Sequence, residues 1–259
     1  MKLIDTHCHL NADVYEGHHQ RVIEEANQVG VQTMFVVGWD ERSSFKAIQL
    51  ARSYPNIKAI VGLHPVDCVK QPELNWLKNM ARINKEHIVA IGEIGLDYYW
   101  QKSSEERQTQ AQSMVEQIQI ANELKMPITI HCRDAYQETL SILKAYPVNQ
   151  GGVMHCYGGP ASMVREFIAL GFALSFGGPV TFKNAHEARA SVLATPLDKL
   201  LIETDAPYLS PHPFRGQENK PSNLTIIFET IAKIKNISTE NLESVLLNNT
   251  KNTFHVKTL

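Results

Sequence analysis

The chain has 259 residues, 43% of them hydrophobic and 20% charged, with a formal net charge of −2. That composition fits a soluble globular protein with enough apolar content for a large core. A balance so near neutrality argues against a protein that holds long duplex DNA on a broad basic face. It leaves room for one that grips a short end with local charge.

No apolar run approaches the ~18 residues needed to span a membrane, and Met1-Lys2 shows no signal-peptide pattern. The four cysteines (Cys8, Cys68, Cys132, Cys156) lack zinc-ribbon or Cys-x-x-Cys spacing. They read as buried, reduced thiols, which points to the cytoplasm.

Strand patterns fall at residues 2–7, 32–38, 58–63, 87–93, 127–131, 152–155, 172–176 and 200–204. Amphipathic segments at 21–29, 41–52, 73–82, 104–125, 135–145, 160–170 and 185–194 separate them, and 223–235 and 239–248 follow. The clearest helix opens on the capping box Ser103-x-x-Glu106. It sets Ala111, Met114, Val115, Ile118, Ala121 and Leu124 on one face. Strand and helix alternating eight times require parallel strands with right-handed crossovers. The expected fold is therefore a (β/α)8 TIM barrel, a single domain over residues 1–259. A doubly wound open sheet is the competing architecture, but no glycine-rich phosphate loop supports it.

The polar residues gather on this scheme. His7 and His9 follow the first strand two residues apart, so their imidazoles point the same way. Two adjacent imidazoles suit a metal ion, since neutral imidazole is a common ligand of zinc-like metals. His64 follows the third strand, Glu93 and His131 end the fourth and fifth, His155 ends the sixth, and Asp205 follows the eighth. All seven lie at carboxyl ends of strands, the rim where barrel enzymes keep their sites.

Several long strings carry a family resemblance: Ile4-Asp5-Thr6-His7-Cys8-His9-Leu10, Gly62-Leu63-His64-Pro65 and Gly92-Glu93-Ile94-Gly95-Leu96-Asp97-Tyr98. To these add Glu203-Thr204-Asp205-Ala206-Pro207-Tyr208-Leu209 and Pro211-His212-Pro213-Phe214-Arg215-Gly216. Together they resemble the TatD family of metal-dependent deoxyribonucleases, within the amidohydrolase superfamily, across essentially the whole chain. The resemblance implies two divalent cations, one on His7, His9, Glu93 and Asp205, the other on Glu93, His131 and His155, with Glu93 shared. It also implies a 3′→5′ exonuclease on single-stranded DNA ends.

Two cations ~3.5–4 Å apart would lower the pKa of a shared water and offset charge on a phosphodiester. Asp205 suits the base that orients the attacking water, with Glu93 beside it in the catalytic centre. His64, Arg133, Arg215 and Tyr98 are the expected substrate-binding residues, with Lys183 and Lys220 adding positive charge. Tyr157, Phe182 and Phe214 are further candidates for stacking bases. The mixed imidazole and carboxylate set favours zinc, manganese, cobalt or nickel over magnesium without deciding among them. DNA ends or short single strands are the expected partner; no membrane and no obligate protein partner is indicated. A hydrolase of the same superfamily acting on an amide, lactone or ester is the alternative, because the same activated water would serve it. A non-catalytic metal-binding scaffold is a third reading, against which the complete ligand set speaks.

Overall fold

A computed structural model describes residues 1–70 and 73–257. Eight strands pair in parallel in strict chain order: β1 (Leu3–Cys8), β2 (Val31–Val37), β3 (Ile57–Val61), β4 (Ile88–Asp97), β5 (Ile128–Arg133), β6 (Gly152–Met154), β7 (Phe172–Phe176) and β8 (Leu200–Ile202). Between and after them run α1 (His19–Gln28), α2 (Glu41–Ser53), α3 (Pro65–Cys68), α4 (Asn75–Ile83), α5 (Ser104–Leu124), α6 (Tyr136–Ala145), α7 (Val164–Ala169), α8 (His186–Ala194), α9 (Leu224–Lys235) and α10 (Thr239–Phe254). This is the expected (β/α)8 barrel.

The last and first strands meet through a seam of specific hydrogen bonds. Thr6 Oγ1 donates to the Ile202 carbonyl at 3.0 Å, and Asp205 N–H donates to the His7 carbonyl at 2.9 Å. His9 N–H donates to the Ala206 carbonyl at 2.7 Å. Asp5 takes the Thr204 amide at 2.9 Å and its hydroxyl as well. The closure thus fastens the end of β1, with His7 and the following His9, to the loop that carries Asp205.

Apolar residues separate into two layers. Ile4, Phe35, Val37, Ile60, Val89, Val153, Ala173 and Leu201 fill the barrel, and Phe254 of α10 packs against Phe35 at 4.8 Å. A larger layer lies between strands and helices. Strict alternation would put Ile4 and Cys8 on the same face of β1. Ile4 instead lies in the inner layer and Cys8 in the outer one, and the ladder slips between Asp5 and Cys8. Likewise Ile91 and Ile94 of β4 both face outward across a register shift. Such bulges re-aim side chains beside active sites; here they bring His7 and Glu93 to the mouth.

Three expectations are corrected. Neither Glu93 nor His131 ends its strand: β4 runs on to Asp97 and β5 to Arg133, and those two residues pair. The buried stripe of α5 is Gln110, Ser113, Met114, Gln117, Ile118 and Ala121, leaving Ala111, Val115 and Leu124 only half-buried. Its glutamines serve strand ends: Gln117 accepts from Leu63 N–H at 2.8 Å and donates to the Leu63 carbonyl at 3.0 Å. Gln110 accepts from Asp97 N–H at 2.9 Å. The segment expected as one helix over 160–170 is a tight turn at Ala161–Met163 followed by α7.

All four cysteines are free, Cys8 and Cys68 buried, Cys132 and Cys156 half-buried. Burial pushes the Cys68 thiol up to about 11 and that of Cys132 up to about 12, so both are protonated, weak nucleophiles. No helix among the described residues is long and apolar enough to cross a membrane.

Candidate metal centre

The seven rim residues converge at the carboxyl ends of the strands, and Glu93 is at their centre. Its two carboxylate oxygens face different groups. Oε2 lies 3.4 Å from His7 Nε2 and 3.8 Å from His9 Nε2. Oε1 lies 2.8 Å from His131 Nδ1, 3.3 Å from His155 Nε2 and 3.7 Å from His64 Nε2. Asp205 Oδ1 completes the first group, 3.2 Å from His9 Nε2 and 3.7 Å from His7 Nε2. Asp205 adopts a left-handed backbone at φ 57°, which Asp tolerates better than most residues, and that turn aims its carboxylate back over β1.

The imidazoles are oriented from behind. His9 Nδ1 lies 2.9 Å from the Val37 carbonyl, so that nitrogen carries the hydrogen and Nε2 keeps a lone pair. His155 Nδ1 is 2.7 Å from Glu203 Oε1, which holds the ring with Nε2 turned inward toward Glu93. His131 Nε2 is 2.9 Å from Asp97 Oδ2. His7 Nδ1 has no hydrogen-bond partner, so only what Nε2 meets settles its tautomer. Imidazoles that donate one N–H outward to a carbonyl or carboxylate and aim the other nitrogen inward are characteristic of metal ligands.

Electrostatics bind the cluster together. At Glu93 burial works against the charge, but His155 above all outweighs it and holds the carboxyl well below its ordinary range. Burial also opposes charge at His155, yet Glu203 and Glu93 raise it well above the usual imidazole value. Asp205 is held low against burial by His9. His64 differs: burial pushes it down to about 3, so it is neutral.

Three sets of ligand atoms each lie within 4.8 Å of one another: His7, Glu93 and His155; His7, His9 and Asp205; and His64, Glu93 and His131. Imidazole nitrogens aimed inward, ionised carboxylates and their mutual spacing fit divalent cations, which would take the place of any proton on those nitrogens. His64 belongs geometrically with this centre, not at a distance from it. Its Nδ1 also accepts the Val66 amide at 3.2 Å and so caps α3.

The expected substrate residues divide. Arg133 is exposed, and its guanidinium stacks 3.7 Å over the Tyr99 ring. Arg215 lies 4.5 Å over Phe182. Phe214 is exposed. Tyr98 is half-buried with Arg107 over its face at 4.3 Å, so it presents no free ring. Tyr157 is corrected outright: it is 3% exposed, packs on Phe167 and Phe176, and donates its hydroxyl to the Pro160 carbonyl. Lys220 is engaged by Glu25 at 3.2 Å and adds less charge than expected.

Three residues that hold the candidate ligands or their loops were not singled out from the sequence: Asp97, Glu203 and Asp5. All three lie in the strings that carry the family resemblance, and Asp5 and Glu203 stand two residues from His7 and Asp205; Asp97 becomes a strand-end acid only because β4 runs past Glu93.

A family model described as TatD related DNase matches residues 4–255. The chain belongs to the TatD family. It is 43% identical over 257 residues to metal-dependent hydrolase YabD of Bacillus subtilis, covering 98% of this chain and 99% of that one. It is 36% identical to metal-dependent hydrolase YcfH of Escherichia coli, covering 99% of this chain and 97% of that one. The crystal structure of the TatD homologue YjjV of Escherichia coli superimposes with a TM-score of 0.93 at 29% identity, covering 98% of each chain. A TatD family hydrolase of Entamoeba histolytica shares the fold at a TM-score of 0.85 and 23% identity. This chain is a metal-dependent hydrolase of that family.

Proposed function

We propose that the protein is a 3′→5′ exonuclease of single-stranded DNA ends, working with two divalent cations. The observation that carries this reading is the division of Glu93: one oxygen turns to His7 and His9, the other to His131 and His155. His7, His9, Glu93 and Asp205 would hold one cation; Glu93, His131 and His155 would hold the other. When bound, the cations supply positive charge to the scissile phosphate and acidify the attacking water.

The chain's own groups do the rest. Asp205, ionised and only 8% exposed, stands at the mouth to accept the proton of that water. Arg133 and Arg215 sit on the rim with planar guanidinium groups whose N–H edges can fork onto phosphate oxygens. A duplex ~20 Å across cannot lower an internal phosphate into a barrel mouth without unstacking, at a cost of a few kcal/mol. A frayed terminal nucleotide enters at little cost, which favours ends over interiors. The net charge of −2 agrees with a short grip.

The test is an oligonucleotide labelled at its 5′ end, with its 3′ end free or blocked, beside a closed circular single strand. Metal-stripped and metal-reconstituted protein are compared. Shortening by single nucleotides from the free 3′ end, only with metal restored, supports the reading. Equal cleavage of the circle and the blocked strand defeats the exonuclease assignment. No cleavage of any nucleic acid, with turnover of a small amide, lactone or ester, moves the assignment to that chemistry.

A further inference from the structure

We propose that Tyr99, Trp100 and Arg133 form a nucleotide subsite, in which Trp100 stacks a base of the substrate strand and Arg133 takes the adjoining phosphate; this rests on the nucleic-acid reading above. Two neighbouring aromatic side chains are exposed on the rim, Tyr99 at 44% and Trp100 at 63%. Their rings meet edge to face at 4.9 Å, and the Arg133 guanidinium covers Tyr99 at 3.7 Å and reaches Trp100 at 6.0 Å. Singly exposed rings are ordinary; here two are contiguous, and an arginine lies over one of them. Among the described residues the Arg133 guanidinium meets rings rather than carboxylates, so its N–H edge stays available to an anion.

The fold fastens this platform to the metal centre. β4 continues past Glu93, pairing Asp97 with Arg133, and Tyr98 N–H donates to the Arg133 carbonyl at 2.9 Å. The rings and the arginine are therefore held side by side by a strand ladder. Asp97 is 1% exposed and uses both oxygens. Oδ1 accepts the amides of Tyr99 at 3.0 Å and Trp100 at 2.9 Å, while Oδ2 meets His131 Nε2 at 2.9 Å. One carboxylate thus ties the aromatic turn to a residue of the candidate centre, so the platform stands at a fixed place beside it. A flat ring accepts any base, and an adjacent guanidinium accepts any phosphate. The combination fits single-stranded nucleic acid of no particular sequence.

The test pairs protein variants with modified substrate. Single strands carry an abasic tetrahydrofuran residue at the 3′-terminal or the penultimate position, and steady-state kinetics are measured for wild type, Trp100→Ala, Trp100→Leu and Trp100→Phe. Wild type is expected to lose about tenfold in kcat/KM, mainly through KM, when one of these bases is missing. Trp100→Ala and Trp100→Leu should lose about tenfold on the intact strand and show no further loss on the abasic one. Trp100→Phe, which keeps a ring, should keep most of both. Metal content and thermal midpoint should match wild type, since Trp100 is exposed; Leu, which keeps bulk without a flat face, separates stacking from mere contact. A Trp100→Ala or Trp100→Leu enzyme that still discriminates against the abasic strand as wild type does overturns the subsite. Wild type that cleaves no nucleic acid overturns the underlying reading, and this is seen before any variant is compared.

Discussion

His155 Nδ1 and Glu203 Oε1 lie 2.7 Å apart, and the same oxygen accepts the Cys156 amide. The pairing fixes the imidazole so that Nε2 points at Glu93, 3.3 Å away. Glu203→Gln keeps an oxygen to accept both hydrogens but removes the charge that makes the imidazole a stronger donor. The expected result is a ~10–100-fold loss in metal affinity or activity with little change in fold. Isothermal titration of stripped protein with zinc or manganese checks it; unchanged affinity together with unchanged turnover would contradict the role.

Asp205 and Glu93 should separate by phenotype. Asp205→Asn removes the proton acceptor while keeping an oxygen, so most metal is retained and turnover drops ~10²–10⁴-fold. Glu93→Ala removes the carboxylate that faces both histidine groups, and metal analysis should find both ions lost together. An Asp205→Asn enzyme with near-normal turnover would defeat the assignment.

Gly95 should not tolerate a side chain. Its φ is 142°, and a Cβ built there would stand 1.9 Å from the His131 carbonyl oxygen. Gly95→Ala combines backbone strain with an overpacked ladder, each costing about 1–3 kcal/mol. Because Gly95 pairs with His131, the displacement also moves a residue of the centre. A lowered thermal midpoint accompanied by reduced metal content is expected; a variant that melts like wild type would refute the close approach.

Gln117→Leu tests the support behind His64. The substitution keeps the volume but leaves the Leu63 N–H and carbonyl without their partner. Each orphaned buried group costs about 1–3 kcal/mol, and a chain of this size loses about 2–4 °C per kcal/mol. Differential scanning calorimetry should therefore show a drop of several degrees. No drop would mean that those backbone groups find other partners.

The sequence by itself determined the barrel and the membership of its rim. Eight apolar runs alternating with helices admit few topologies, because parallel strands need crossovers of one hand. A residue at a strand's carboxyl end must then face the common mouth, so His7, His9, His64, His131, His155 and Asp205 were legible together. Only the tertiary structure decided how they are aimed. Alternation along β1 and β4 breaks where the ladders slip, and those slips turn His7 and Glu93 inward. A bulge is set by pairing with a neighbouring strand, so a local pattern does not reveal it. The glutamines of α5 are no part of the apolar face that its periodicity shows. They are buried because strand ends far away in sequence present backbone groups that require partners. Tyr98, Tyr99, Trp100 and Tyr157 are alike as letters, and which ring is free depends on what packs over it. Asp97 and Glu203 likewise gain their roles only when the fold carries each to within 3 Å of an imidazole more than thirty residues away.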